Sequence, residues 1–394
     1  MHESWRWFGP EDTVSLAQIR QAGASGVVTS LHHIATGEVW PLADIRERAQ
    51  QIAEQGLDWS VVESVPVHND IKARSGNYQA LIHNYQQTLR HLGRASIHRV
   101  CYNFMPVVDW TRTNLDYELP DESSALKFEM TDFVAYDVHI LKRPEASENY
   151  SDALLERAEE RFARLTIDQR QALENNIIAG LPGGEGGYDR EGIRSEIARF
   201  NAIGVERYRA NLVAFLEEII PVAEESGVVM CIHPDDPPFS LFGLPRVVST
   251  ADDARALLDA VPSRHNALTM CAGSYGARSD NDLVGMVTEF GERIQFVHLR
   301  NVCRENDGSF YESEHLGGDL DMVGLIDALL DEERKRRTRG AALTEIAMRP
   351  DHGHALGDER HDRHVRPGYS YVGRLKGLAE LRGVIHALTA IRES

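Results

Sequence analysis

The chain has 394 residues, with 42% hydrophobic and 26% charged side chains, enough to build a large core without disulfide staples. A net charge of −19 argues against a nucleic-acid or anionic-membrane partner, because those need basic surfaces. No stretch approaches the eighteen apolar residues of a membrane span, and MHESWRWFGP lacks the basic and apolar regions of a signal peptide.

Short apolar runs recur along the chain, most of them β-branched. They are GVVTSL from Gly26, WSVVESV from Trp59, RVCYNFM from Arg99, GVVMCIHP from Gly227, ALTMCAG from Ala267, IQFVHLR from Ile294 and LTEIAMRPD from Leu343. Continuous runs of this kind suit strands buried on both faces of a parallel sheet. Helical patterns separate most of them, as in LADIRERAQQIAEQG (Leu42 to Gly56), LVAFLEEIIPVAEESG and ADDARALLDAV. Alternating strand and helix imply right-handed βα units. Seven strands are placed; the stretch Tyr369 to Val372 is the weakest candidate for an eighth, which would close a barrel. An open doubly wound sheet is the competing architecture, disfavoured for dinucleotide binding by the lack of GxGxxG after the first strand.

The polar stretch 111–199 breaks this rhythm and reads as an insertion after the third of these strands, a candidate lid or dimer contact. Within it, LDYELPDESSALKFEM reads as a hairpin, LLERAEERFARL as an exposed helix and GLPGGEGGYDREG as a flexible loop.

Four strands end in metal-ligand residue types. CIHPDDPP carries His233, MCAGSYG carries Cys271, FVHLRN carries His298 and MRPDHGH carries Asp351. In a barrel such ends converge on the catalytic face, where His, Cys, His and Asp can hold one divalent transition metal. Taken singly, each has a plainer explanation in packing or turn capping; their coincidence at equivalent positions favours the metal. Cys231 rivals Cys271, but it lies inside its strand and suits core packing better. The four cysteines, Cys101, Cys231, Cys271 and Cys303, form no CxxC pair, which fits reduced thiols in a cytoplasmic protein.

SWRWFGP, LHHI, SVVESVPVHNDIK, CYNFMPVVDWTRT, HILKRP, HPDDPP, GLPR, GSYG, RPDHGH, PGYS and GRLKGLAE together resemble the metal-dependent mannonate dehydratases, along almost the whole chain. The resemblance implies a single α/β domain over 1–394, a TIM-type (β/α)8 barrel of the xylose-isomerase-like kind. It implies a cytoplasmic hydro-lyase of hexuronate breakdown that turns D-mannonate into 2-dehydro-3-deoxy-D-gluconate and water with Mn2+ or Fe2+. The family's ligands fall on His233, Cys271, His298 and Asp351. Removing a C2 proton beside a carboxylate needs charge neutralisation by a cation and two proton-transfer groups. His352 and Tyr369 are the candidates for acid and base, with neither role assigned to either, and His354 is a third. Arg300, Arg349 and Arg112 are candidates for the substrate carboxylate, or else structural ion pairs, and Trp110 could line or cover the pocket. His32, His33, Glu63 and His68 follow the first two placed strands and could meet substrate hydroxyls. The alternatives are a sugar isomerase or epimerase on the same barrel, which the Cys ligand disfavours, and a non-catalytic sugar-acid binding protein, which would not need His352 and Tyr369.

Overall fold

All seven β-branched runs form strands in the computed structural model, which describes residues 1–178 and 189–393. In chain order the strands are β1 (His2–Arg6), β2 (Gly26–Thr29), β3 (Asp58–Glu63), β4 (Arg99–Tyr102), β5 (Asn114–Glu118), β6 (Ser124–Phe128), β7 (Val229–Ile232), β8 (Asn266–Cys271), β9 (Ile294–His298), β10 (Asn301–Arg304), β11 (Phe310–Ser313) and β12 (Ala347–Arg349). Eight of them close into a barrel in the order β1-β12-β9-β8-β7-β4-β3-β2, every pair parallel. The architecture is a TIM-type barrel, and the open sheet is excluded.

The eighth strand is not at Tyr369 to Val372. Tyr369 makes one isolated bridge to Gly353, and the helix Tyr371–Glu393 starts two residues later. The missing strand is β1, whose sequence HESWR has no β-branched residue. Context overrides propensity here. β1 is hydrogen-bonded on both sides, to β12 and β2, and its Ser4 and Trp5 are fully buried. Counting β1 makes the strand before the insertion the fourth of the barrel.

The helices that cover the barrel follow the expected signals. Leu42–Ala53 buries Ile45, Arg48 and Ile52. Val205–Ser226 buries one stripe of nine residues and ends at Gly227, whose φ of +65° is the left-handed conformation a helix stop uses. Inside the barrel, Val28, Val61, Cys101, Phe296 and Ala347 pack together. Below them Val229, Cys231 and Ala267 meet Leu343.

After β4 the chain leaves the barrel. The expected hairpin is β5–β6, and the expected exposed helix is Asp152–Arg164, with only Ala158 fully buried. Of GLPGGEGGYDREG, residues 180–188 lie outside the described residues; the remainder is not loop, because Asp189 caps the helix Arg190–Asn201. A second hairpin, β10–β11, follows β9 and pairs with the first across Phe310↔Phe128 and Tyr311↔Lys127. The resulting antiparallel sheet, β10-β11-β6-β5, carries groups to the barrel mouth. No helix among the described residues is long and apolar enough to cross a membrane.

Candidate metal centre and active site

β7, β8, β9 and β12 are consecutive neighbours in the ring. Parallel strands present their carboxyl ends on one face, so a residue at or just past each end falls in one place. Cys271 and His298 are the last residues of β8 and β9 and are register partners; His233 follows β7 by one residue and Asp351 follows β12 by two.

Three of the four candidate donors gather closely enough to share one cation, and Asp351 lies beside two of them. His233 Nε2 lies 3.2 Å from His298 Nδ1. Asp351 Oδ2 lies 3.7 Å from His298 Nδ1 and 3.8 Å from Cys271 Sγ. The donor atoms of His233, Cys271 and His298 all fall within 4.8 Å of one another. Metal–nitrogen bonds of about 2.0 Å and metal–sulfur bonds of about 2.3 Å give tetrahedral donor–donor edges of roughly 3.3–3.8 Å. The three spacings of 3.2, 3.7 and 3.8 Å fall close to such edges, and the nitrogen, sulfur and carboxylate donors suit a divalent transition metal. Cys231 is not in this group. It packs one layer down, and burial pushes its thiol up to about 12.

Local bonding prepares the ligands. The carbonyl of Pro234 only accepts, so His233 Nδ1 donates to it at 2.7 Å, and Nε2 presents its lone pair to the site. Burial lowers the pKa of His233 and holds that of His298 well below the ordinary value, so both imidazoles are neutral. His298 Nε2 is buried without a hydrogen-bond partner, 3.5 Å from Glu63. Burial would raise the Asp351 carboxyl, yet Arg349, His352, His298 and Arg300 hold it well below the carboxylate range. Asp351 adopts a φ of +69°, which Asp tolerates better than most residues. Arg300 Nε, 2.7 Å from Asp351 Oδ2, and the Arg349 guanidinium hold its carboxylate. Cys271 is the exception: burial pushes its thiol up to about 12, so the metal-free residue is protonated.

None of the three arginines has a free guanidinium. Arg112 is fully buried, with Nη1 2.8 Å from Asp236 and Nη2 2.7 Å from Glu312. Arg300 joins Asp351, Asp236 and Glu312, and Arg349 joins Asp351 and, at 3.0 Å, Glu63. They form ion pairs in the barrel mouth, which was the second expectation for them.

Beside the ligands, His352 Nδ1 lies 2.7 Å from Glu312 Oε2, and His352 Nε2 lies 3.3 Å from the Tyr369 hydroxyl. Trp110 meets the His352 ring edge-on at 5.9 Å, and Phe8 meets Tyr369 edge-on at 4.7 Å. Burial pushes the Tyr369 phenol up to about 12, so it is a neutral donor. Trp110, His233, Asp351, His352 and Tyr369 all line one cavity of about 20 Å³. That is room for about one water.

The other expected residues divide. Glu63 lines this cavity, whereas His354, bonded through Nε2 to the Glu312 carbonyl at 2.9 Å, faces a separate small pocket. His32 packs on Phe8, and burial together with Arg6 and Arg48 lowers it to about 3. His33 pairs with exposed Asp44, and His68 caps the helix Asn69–Ala73. Sequence reasoning missed Asp236 and Glu312, which hold the arginines in place. Asp236 stood in the quoted HPDDPP; Glu312 had no signal.

The D-mannonate dehydratase (UxuA) family model matches residues 1–394. A curated mannonate dehydratase from Saccharophagus degradans is 62% identical over 392 residues, covering 100% of this chain and 99% of the relative. Mannonate dehydratase 2 from Agrobacterium fabrum is 56% identical over 388 residues, covering 98% and 97%. The crystal structure of mannonate dehydratase from Streptococcus suis serotype 2 superposes with a TM-score of 0.78 at 34% identity, covering 100% of this chain and 95% of that one. With a closed eight-stranded barrel and full-length agreement with these relatives, the chain belongs to the D-mannonate dehydratase family of hydro-lyases.

Proposed function

We propose that the barrel mouth dehydrates D-mannonate at one Mn2+ or Fe2+ held by His233, Cys271, His298 and Asp351, with His352 and Tyr369 moving the two protons. Such an ion, when bound, supplies a positive charge beside the carboxylate whose neighbouring C–H must ionise. The observation that carries the assignment of roles is the 3.3 Å contact between His352 Nε2 and the Tyr369 hydroxyl. Nδ1 of His352 faces a carboxylate that only accepts, so Nε2 is the basic nitrogen. Tyr369 is a neutral phenol with a proton to give.

His352 Nε2 takes the C2 proton. The electron pair forms the C2–C3 double bond as the C3 hydroxyl leaves, and the Tyr369 hydroxyl protonates that leaving group to water. His352 then returns a proton to the Tyr369 oxygen across the same contact, which restores both residues. The enol product becomes the 2-keto-3-deoxy acid by moving its hydroxyl proton to C3. Arg349 and Arg300 orient the substrate carboxylate by exchanging part of their present pairing with Asp351 and Glu63, and Trp110 closes the site against water. The four cysteines, all free, suit the reducing cytoplasm, and the whole chain acts as one catalytic unit.

Purified protein incubated with D-mannonate and Mn2+ is expected to release a 2-keto-3-deoxy acid, and EDTA to stop it. Binding of mannonate without any keto acid, with Mn2+ or Fe2+, would leave a sugar-acid binding protein and refute the reading.

A further inference from the structure

Glu312 lies on β11, where alternation turns Phe310 and Glu312 inward and leaves Tyr311 half-exposed. It is 3% exposed and belongs to neither the metal-ligand set nor the cavity lining. A buried carboxylate is costly unless it is paired. Here Oε1 takes Arg112 Nη2 at 2.7 Å and Nε at 3.2 Å, with Arg300 Nη1 at 3.3 Å. The second oxygen, Oε2, is 2.7 Å from His352 Nδ1.

We propose that Glu312 is the positioning residue of the dehydration. Braced by Arg112 and Arg300, it fixes His352 in the tautomer that carries hydrogen on Nδ1 and leaves Nε2 free for the substrate. The inference rests on the assignment of proton transfer to His352. Four segments distant in sequence build this device: Arg112 from the insertion, Arg300 after β9, Glu312 from β11 and His352 after β12. An anion between two fixed guanidinium groups can only accept, so the imidazole has one way to bond. The Trp110 edge and the Tyr369 ring, 5.0 Å away, hold the plane of the imidazole, while Glu312 decides which nitrogen bears the hydrogen. A carboxylate that orients a catalytic imidazole in this way is worth roughly 10²- to 10⁴-fold in kcat elsewhere.

The test compares Glu312→Gln, Glu312→Asp and His352→Asn, with Glu314→Gln as a control two residues along on a half-exposed side chain paired with Lys376. Each metal-loaded variant is assayed for kcat, KM and metal content. Histidine-labelled zinc-loaded protein is read by ¹⁵N NMR, with His352→Asn identifying the His352 signals. Gln can turn its amide toward Nδ1 and stabilise the other tautomer. The expected result for Glu312→Gln is a kcat lower by roughly 10²-fold or more, with KM within about threefold, full metal content and a changed His352 tautomer signature. Glu312→Asp should recover part of the rate, and Glu314→Gln should behave as the parent. Near-parental kcat in Glu312→Gln beside an inactive His352→Asn would overturn the proposal alone. So would a rate loss explained by lost metal or raised KM with the His352 signals unmoved, since that is a strut and not an orienting group. An active His352→Asn would instead overturn the proton-transfer reading on which the proposal stands.

Discussion

His233 Nε2 and His298 Nδ1 face each other at 3.2 Å in the mouth of the barrel. Burial keeps both imidazoles neutral, and the Pro234 carbonyl fixes which His233 nitrogen presents its lone pair. With His233 Nε2 offering its lone pair, the 3.2 Å contact makes His298 Nδ1 its donor, and a thiol and a carboxylate stand alongside these two nitrogens as further candidate donors.

The thiol is the donor with a proton to lose. Burial holds Cys271 up at about 12, so it is protonated throughout the neutral range and would have to ionise to bind metal. Metal uptake between pH 7 and 9 is therefore expected to release about one proton per ion, and apparent affinity to rise about tenfold per pH unit. Titration calorimetry in buffers of different ionisation enthalpy counts the proton. A count of zero would remove the thiolate from the ligand set.

Cys271→Ser should lose metal and activity together, whereas Cys231→Ser should keep both. The two thiols are equally buried, but Cys271 lies among donors and Cys231 among Val229, Ala267 and Leu343. Elemental analysis of the two purified variants decides between them; a full metal complement in Cys271→Ser contradicts the assignment.

His352→Asn and Tyr369→Phe should each retain metal and bind mannonate while kcat falls by roughly 10²- to 10⁴-fold. Deuterium exchange at C2 separates the roles. The His352 variant should show none, and the Tyr369 variant should still exchange if proton removal precedes loss of the hydroxyl. Near-normal turnover in either one would take that residue out of the mechanism.

Arg112→Met should cost about 3–5 kcal/mol of stability, because it leaves the buried carboxylates of Asp236 and Glu312 short of a counter-charge. The shift of the urea midpoint measures it. A loss under about 1 kcal/mol would mean that Arg300 alone neutralises both carboxylates.

The convergence of His233, Cys271 and His298, with Asp351 beside them, was legible because each closes an apolar run, and the end of a parallel strand is a defined place. β1 was not legible, since Trp5 and two ladders of hydrogen bonds build it without β-branched residues. The arginine cage was half legible. Arg112, Arg300 and Arg349 stood out beside the motifs, but their partners did not. A single acid in FYES carries nothing that separates a solvated side chain from one sealed between guanidinium groups. Only the register of β11 on β6 and β10 turns Glu312 inward. His354 lies three residues beyond Asp351 along an irregular segment and lines a different pocket, a placement that sequence proximity does not convey.

The pairing of β6 with β11 has a kinetic consequence. Phe128 and Phe310 are partners across some 180 residues of chain, and all of β7, β8 and β9 lies between them. Closing so long a loop is slow and is rewarded only after the intervening segments are compact. During synthesis, therefore, the first hairpin waits unpaired along β6 until the second has been made. The imidazole of His352 follows β12 and meets its partner on β11 only after every strand of the barrel has been made, so this contact is a late event in folding.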